Sequence, residues 1–431
     1  MKRTVSSIMF CVAALLFLTM SPVLQAENWS QWRGNKGAGI SQEKDLPIQW
    51  TREGNIAWKV ELPGPGGASP VVWDERIFVT SVDGNDLVLL CFGTNGKQQW
   101  KQVVSAGNQN VRGDEGNSAS PSPYTDGKHV WTFFTDGTLA CYTVDGEEAW
   151  KANLQERFGK FSIAFGMTST PVLDKGRLYL QLIHGEGDPK TQEAKVVCLD
   201  ATTGDTIWAV NRTSDGRSEN EHSYASAVFY RSKKAEYLIV HGNDYTTGHS
   251  LEDGGELWRL GGLNPKGTYE PTLRFVASPV AVPGFIVVPT AKGRGVFCIK
   301  GDELDGDVTE NESAFWWKRE TKTPDVPSPL VVDGLVYLLR EDGTLTCVDA
   351  KTGQEHYSER TTPDRHRASP VYADGHIYTC ARNGKTSVIQ TGKKFMSESV
   401  NDLGEEISAS PAISNGRIYI RTFKHLWAIG K

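Results

Sequence analysis

The stretch from residue 328 to residue 357, SPLVVDGLVYLLREDGTLTCVDAKTGQEHY, contains the pattern that decides the fold. Turns at Gly334, Gly343 and Gly353 divide it into four short segments rich in apolar and β-branched residues. Glycine adopts positive φ without steric cost, and Asp-Gly or Thr-Gly pairs between apolar runs are strong hairpin signals. The stretch therefore predicts one unit of four antiparallel strands.

The opening Ser/Thr-Pro of this unit recurs along the chain at intervals of 41 to 56 residues. Ser226-Ala227 replaces it in one copy, and the other copies open at Pro70, Pro121, Pro171, Pro279, Pro329, Pro370 and Pro411. Equal repeats that cannot bury their faces alone stack on one another, and a closed ring protects their edges. We predict an all-β fold, an eight-bladed β-propeller of four-stranded antiparallel blades.

The two ends of the repeat array complement each other. The copy that opens at Pro411 has room for only three strands, and residues 56–60 look like an outer strand without the three that should precede it. We therefore predict that the N-terminal strand closes the last blade.

The N-terminal segment indicates export. Lys2 and Arg3 precede an apolar run over residues 8–20, and a cleavage site follows at Ala26, so residues 1–26 are predicted to be a secretory signal peptide. Residues 27–54 form a lead segment and residues 55–431 the propeller. We expect an exported, periplasmic or extracellular monomer without a membrane span after cleavage.

The lead segment carries two tryptophans close together, Trp29 and Trp32. They can pack against the ring near its closure, or they can stack on a carbohydrate. Both interpretations remain open from the sequence.

The distribution of charged residues and of cysteines limits the possible functions. The formal net charge is −6 with the signs interspersed, so we expect no nucleic-acid partner.

Five cysteines occupy the third strand of their repeats, too far apart for disulfides, and are predicted to be buried thiols: Cys91, Cys141, Cys198, Cys298 and Cys347. Ser250 is aligned with them in the fourth blade. No Cys-x-x-Cys occurs, and we predict no metal site.

Two turns carry a family resemblance. Residues 199–208, LDATTGDTIW, and residues 348–353, VDAKTG, resemble the PQQ-like β-propeller repeat, in which the turn docks the tryptophan against the adjacent blade. The family includes quinoprotein alcohol dehydrogenases and non-catalytic BamB-type proteins of outer-membrane assembly. The lead over residues 29–40 and the stretch over residues 272–279, TLRFVASP, also look like exported PQQ-like propeller proteins of planctomycete-type bacteria.

If the resemblance extended to enzymatic activity, the sequence would have to contain particular residues. Quinoprotein dehydrogenases carry adjacent cysteines over the quinone and a calcium site, and this chain has neither a Cys-Cys pair nor a calcium-loop spacing. Motifs for serine, zinc or phosphate-loop chemistry are also missing. We therefore predict no catalytic residues and no cofactor, with pyrroloquinoline quinone (PQQ) and calcium expected only under the alternative.

Polar residues around the fourth blade suggest a ligand site. Connections into first strands and turns after second strands share one face of a propeller, so residues on them can converge near the axis. Residues 241–249 are interpreted as a longer replacement for the usual turn, and residues 112–115 and 158–165 lie in long entries on the same face. The candidate binding residues are His222, Tyr224, Asp244, Tyr245, Arg274, Arg365, His366 and Arg367. The alternative is that these groups only satisfy local hydrogen bonds.

The function favoured by the sequence is that of an exported, non-catalytic scaffold. It would bind a protein partner of the cell envelope, or a ligand, on the axial loop face. A PQQ-dependent oxidoreductase and a carbohydrate-binding propeller are the alternatives.

Overall fold

The computed structural model describes residues 27–111, 116–185 and 194–431, and within them eight sheets form an eight-bladed propeller. This confirms the predicted fold class. The signal peptide and residues 112–115 lie outside the described residues. Neighbouring first strands contact one another around the axis, and each fourth strand lies at the rim.

The first four blades follow one strand order. Blade 1 comprises β2 (Val71–Trp73), β3 (Arg76–Asp83), β4 (Asp86–Gly93) and β5 (Gln98–Ala106), and blade 2 comprises β6 (Tyr124–Thr125), β7 (His129–Phe133), β8 (Thr138–Thr143) and β9 (Glu148–Asn153). Blade 3 comprises β10 (Val172–Asp174), β11 (Arg177–Ile183), β12 (Ala194–Asp200) and β13 (Thr206–Asn211). Blade 4 comprises β14 (Val228–Arg231), β15 (Glu236–Gly242), β16 (Tyr245–His249) and β17 (Glu256–Leu260), with β21 (Gly306–Asp307) added in parallel at its edge.

The remaining blades complete the ring. Blade 5 comprises β18 (Val280–Val282), β19 (Phe285–Pro289), β20 (Val296–Lys300) and β22 (Phe315–Arg319), and blade 6 comprises β23 (Leu330–Val332), β24 (Leu335–Leu339), β25 (Thr344–Asp349) and β26 (Glu355–Arg360). Blade 7 comprises β27 (Val371–Ala373), β28 (His376–Cys380), β29 (Lys385–Gln390) and β30 (Ser397–Asp402). One short helix, α1 (Leu154–Phe158), and three 3-10 turns (Ser218–Glu221, Lys266–Thr268, Glu312–Ala314) interrupt the described connections.

The eighth blade is built from both ends of the chain. β31 (Ala412–Ser414), β32 (Arg417–Arg421) and β33 (His425–Ile429) receive the N-terminal β1 (Ile56–Glu61) as their fourth strand. β1 pairs antiparallel with β33, with Trp58 opposite Ala428 and Val60 opposite Leu426. The predicted closure is confirmed, because an unpaired β1 and an exposed β33 edge satisfy each other's hydrogen bonds.

The tryptophan of the fourth strand joins each of several blades to the next. Trp58, Trp100, Trp150 and Trp317 donate their indole N–H to carbonyls in the third turn of the following blade, at 2.7 to 3.0 Å. The glycine of that turn lies flat against the ring. Gly204, at φ +74°, would place a Cβ 2.6 Å from the Trp150 ring, so a side chain is excluded there.

The cysteines lie where the repeats predicted, inside the blades. Cys91, Cys141, Cys198 and Cys298 each pair across the strand with the tryptophan of their own blade, and Cys347 pairs with Tyr357. All six cysteines of the described residues are buried free thiols.

Three details of the repeat alignment were wrong. In blade 4 the residue opposite Trp258 is Gly248, not Ser250, because the hairpin before it is shorter than predicted. In blade 2 the opening pair is Ser122-Pro123 rather than the pair at Pro121, since β6 begins at Tyr124. The stretch from residue 241 to residue 249 is no long loop, because β15 and β16 are joined by the two-residue turn Asn243-Asp244, both at positive φ.

The lead segment crosses the axis on the face of the first and third turns. Trp29 pairs with Val72 of blade 1, Ser30 accepts from Thr125 of blade 2, and Tyr372 of blade 7 exchanges hydrogen bonds with the lead. Trp29 is 0% exposed, which favours packing over sugar stacking for this residue. No helix among the described residues is long and apolar enough to cross a membrane.

Candidate functional site: the axial pocket

A ring of hydroxyl groups surrounds the axis where the first strands begin. In seven of the eight steps around the ring, a backbone N–H donates to the Ser or Thr hydroxyl oxygen of the next blade, at 2.9 to 3.3 Å, and the eighth step, from Ser410 to Ser69, is open. The members, in chain order, are Ser69, Ser122, Thr170, Ser226, Ser278, Ser328, Ser369 and Ser410. The seven hydroxyl oxygens from Ser122 to Ser410 act as acceptors in these bonds, so the hydroxyl protons of these residues remain available for other partners.

The axial pocket lies on this ring and has a volume of about 450 Å³. Its walls are seven of the ring residues, from Ser122 to Ser410, and residues of the connections above them. Trp32 of the lead segment also lines it. The pocket combines hydroxyls with the aromatic side chains of Phe165 and Tyr224 and with several charged side chains.

The charged side chains meet at Glu341, in the turn after the second strand of blade 6. Lys292 Nζ, Arg365 Nε and Arg367 Nη1 each lie 3.3 Å from a carboxylate oxygen of Glu341. Arg274, in the connection to blade 5, lies 3.3 Å from Glu219 and 5.1 Å from the Phe165 ring centroid. Three cations thus converge on one carboxylate, from blade 5 and from the entry to blade 7.

A second carboxyl group, Asp325, is 5% exposed and lies 3.6 Å from Lys292. Burial raises the pKa of Asp325 more than the cations Arg274 and Lys292 lower it. Burial also acts to raise the pKa of Glu341, but Arg367 and Lys292 outweigh it, so that pKa lies below its usual value.

A peripheral pocket of about 700 Å³ adjoins the axial one. Lys292, Glu341 and Arg365 line both. Its outer wall adds Lys322, Arg340, Arg360, Asp342 and Asp364. Arg340 and Arg360 lie 3.6 and 3.7 Å from the same carboxylate, Asp342, so here too cations share a single acid.

Half of the predicted site residues line the axial pocket. These are Tyr224, Arg274, Arg365 and Arg367. The other four, His222, Asp244, Tyr245 and His366, do not line it, and each is held by local partners. Ligand binding by any of the eight remains a prediction.

His222 lies beside Tyr224, which lines the pocket. Its Nε2 lies 3.2 Å from the Gly185 carbonyl, and its ring makes an edge contact with Tyr224. Burial lowers the pKa of His222, so the imidazole is neutral at neutral pH. It supports the wall behind Tyr224.

Asp244 and Tyr245 belong to a separate polar cluster above blade 4. Tyr269 donates its hydroxyl to Asp244 at 2.7 Å, and Tyr245 donates its hydroxyl to Asp215 at 2.9 Å. Burial raises the pKa of Asp244 to about 6. Asp244 did not reach the axis because it lies in the tight hairpin turn.

His366 is fully buried between its charged neighbours in sequence. Its Nδ1 contacts the Asp364 carbonyl at 2.9 Å, and Gly343 packs against its ring. The side chain holds the entry to blade 7 in place. The alternation of buried His366 with Arg365 and Arg367 puts both arginines at the pocket.

The sequence patterns did not indicate Lys292, Asp325, Glu341 or the hydroxyl ring as parts of a site. The ring could have been found, because its members precede the first strand of every blade. Lys292 and Glu341 occupy equivalent turns after second strands, on the face already predicted to hold the site. Nothing in the sequence indicates that both turns reach Arg365.

The described residues do not fit the calcium-bound quinone of the alternative function. Among residues 27–111, 116–185 and 194–431, no three His, Cys, Asp or Glu side chains are grouped to hold a metal ion. The cysteines lie inside the blades, paired with the outer aromatic residues, and none lines the axial pocket. The four cations of the pocket could contact the carboxylates of a quinone, whereas the described acidic, histidine and cysteine side chains form no group of three for its calcium.

Comparisons with known proteins agree with this architecture. The family model described as outer membrane protein assembly factor BamB matches residues 40–187, 135–312 and 243–429. A polyvinylalcohol dehydrogenase of Pseudomonas sp. is 24% identical over a 209-residue alignment that covers 44% of this chain. The match spans only 30% of that dehydrogenase.

Two solved structures show the same fold at low identity. BamB from Moraxella catarrhalis superposes with a TM-score of 0.61 at 11% identity, covering 87% of this chain and 99% of that one. The quinohemoprotein alcohol dehydrogenase from Comamonas testosteroni gives 0.64 at 12% identity, covering 94% and 81%. With three overlapping matches that together run from residue 40 to residue 429, the chain belongs to the PQQ-like β-propeller family described as outer membrane protein assembly factor BamB.

Proposed function

We propose that the protein is an exported, non-catalytic scaffold that binds a protein of the cell envelope on the face carrying the axial pocket. The observation that carries the proposal is the sharing of Glu341 by Lys292, Arg365 and Arg367 beside an open pocket. Charges placed this way attract and orient a partner without performing chemistry.

The family supports the same proposal. Its model is described as an outer membrane protein assembly factor, and BamB from Moraxella catarrhalis is covered over 99% of its length. A chain of similar extent and fold, with binding groups on one face, suits a role in holding another protein.

A PQQ-dependent oxidoreductase is the second candidate. The likeness to a quinohemoprotein alcohol dehydrogenase and to a polyvinylalcohol dehydrogenase favours it, as does the tryptophan Trp32 in the axial pocket. We rank it second because the described residues group no ligands for calcium. A carbohydrate-binding role ranks third, because Trp29 is buried.

Photo-crosslinking in the native host tests the first candidate. A photoreactive amino acid replaces Lys292, which is exposed on the pocket face, or Lys351, which is exposed in a third turn on the opposite face. We expect a discrete protein adduct from position 292 and none from position 351. No adduct from position 292, or the same adducts from both positions, would argue against a partner on this face.

A further inference from the structure

We infer that the partner segment bound at this face is an extended, acidic polypeptide lying across both pockets, an inference that rests on the proposed function. The two pockets are contiguous, since Lys292, Glu341 and Arg365 form the wall between them. Their volumes of about 450 and 700 Å³ together exceed what one compact small ligand needs. A chain that crosses the dividing wall can occupy both.

The charges lining the two pockets favour an anionic occupant. Seven side chains are basic: Arg274, Lys292, Arg365 and Arg367 in the axial pocket, and Lys322, Arg340 and Arg360 in the peripheral one. Four lining side chains are acidic, namely Asp325, Glu341, Asp342 and Asp364. Glu219 and Glu355 pair with Arg274 and Lys322 from outside the lining, so the basic side chains outnumber these carboxylates by one. The protein as a whole has a formal charge of −6, so the surplus is a local property of this face.

The cations are accessible to a competing carboxylate. The side chains of Arg340 and Arg360 are 40% and 56% exposed, and they share Asp342 at 3.6 and 3.7 Å. Exposed ion pairs of this length contribute little stability and exchange partners readily. Carboxylates of the segment can therefore pair with these arginines without breaking a strong interaction. Arginine clusters are a recurring means of reading acidic motifs.

The axial pocket adds features that suit a polypeptide. Its seven ring hydroxyls retain protons that can be donated to peptide carbonyls or to a carboxylate. Phe165, Val276 and Val326 provide apolar walls for intervening side chains. A site of mixed hydroxyl, apolar and cationic groups discriminates a peptide from a simple polyanion.

Binding of fluorescent peptides to the chain from residue 27 onward, followed by anisotropy, tests the inference. One peptide of about twelve residues has Asp or Glu at every third position among Ser, Val and Gly, and its control has Asn or Gln instead. We expect the acidic peptide to bind, with affinity falling as salt rises, and the amide control not to bind.

Variants locate the binding. Arg340→Gln with Arg360→Gln probes the peripheral pocket, and Arg274→Gln probes the axial one. Each is expected to weaken binding about tenfold, as removal of charge pairs at an interface does. Lys59→Gln with Lys351→Gln removes two charges from other surfaces and should leave affinity unchanged. Weakening by only one of the two pocket variants would overturn the proposal that one segment spans both.

Other outcomes overturn the inference in distinguishable ways. Equal binding of a single-stranded DNA of the same charge would reduce the site to non-specific polyanion attraction. Citrate displacing the peptide at a concentration equal to the peptide's own Kd would indicate a small-molecule site. If position 292 still crosslinks a host protein while no acidic peptide binds, the scaffold function stands and the partner class is wrong.

Discussion

Arg421, at the end of β32 in the last blade, donates through Nη1 to the carbonyl of Thr80 in the first blade at 2.6 Å. The guanidinium is fully buried and also reaches Ala68 and Ser81. Arg421 lies beside the gap in the hydroxyl ring. At this gap, Ser69 Oγ is buried and accepts no hydrogen bond. A side chain thus joins the last blade, which contains both ends of the repeat array, to the first blade.

Replacing Arg421 should weaken this closure. Burial lowers the pKa of Arg421 to about 9, so the charge is costly, but a Met at this position leaves the Thr80 and Ala68 carbonyls without that donor. We expect Arg421→Met to lower the free energy of unfolding by about 2 kcal/mol, measured by urea unfolding. The exposed Arg52→Met is the control. An unchanged or raised stability would show that the desolvation cost cancels the hydrogen bonds.

The contact of Gly204 with Trp150 can be tested with a matched glycine. Gly204 and Gly176 have φ of 74° and 76°, but only at Gly204 would a Cβ meet a neighbour, 2.6 Å from the ring. Positive φ should lower the free energy of unfolding of both Ala variants by about 1 kcal/mol. The clash with the Trp150 ring should lower that of Gly204→Ala by about 1–3 kcal/mol more. Equal melting temperatures of the two variants would contradict the docking role.

The cysteines should behave as buried core residues. Burial raises the pKa of Cys198 to about 11 and that of Cys380 to about 12, so thiolate is scarce at pH 8. In the protein from residue 27 onward, Ellman's reagent should find almost no reactive thiol in the native state and six after denaturation without reductant. Fewer than six would reveal disulfides and overturn the blade alignment.

Asp244 should make stability depend on pH. Its folded pKa, about 6, lies above the ordinary 3.8, so the folded state binds more protons and stability falls as the pH rises from 4 to 6. A shift of about two units corresponds to at most about 3 kcal/mol. Asp244→Asn should remove this decline, whereas the exposed Asp205→Asn should retain it. A decline that persists in Asp244→Asn would assign it to another group.

Quinone dependence separates the two leading functions. We expect no dye reduction with alcohols or sugars after addition of PQQ and calcium, and no retention of PQQ in equilibrium dialysis. The reason is that no three acidic, histidine or cysteine side chains among the described residues are grouped to bind calcium. Dialysis of the Arg367→Gln variant tests whether any retained PQQ is held through its carboxylates. Turnover that requires PQQ and disappears on chelation would favour the oxidoreductase.

The sequence by itself determined the fold, because the repeat carries its own strands, turns and closing aromatic. The complementary fragments at Pro411 and at residues 56–60 determined the ring closure as well. These are local patterns, repeated eight times, and a local pattern can be read without knowing what it packs against. The thiol state of the cysteines followed from the same repeat.

Only the tertiary structure decided which side chains meet at the axis. Lys292, Glu341 and Arg365 belong to blades 5, 6 and 7, and no spacing in the chain shows that their turns converge. Asp244 was misplaced because the sequence did not reveal that Asn243 and Asp244 form a tight turn at positive φ. The sequence also did not show that His366 is buried beside the pocket instead of lining it, because the burial of a side chain is set by the neighbouring blades.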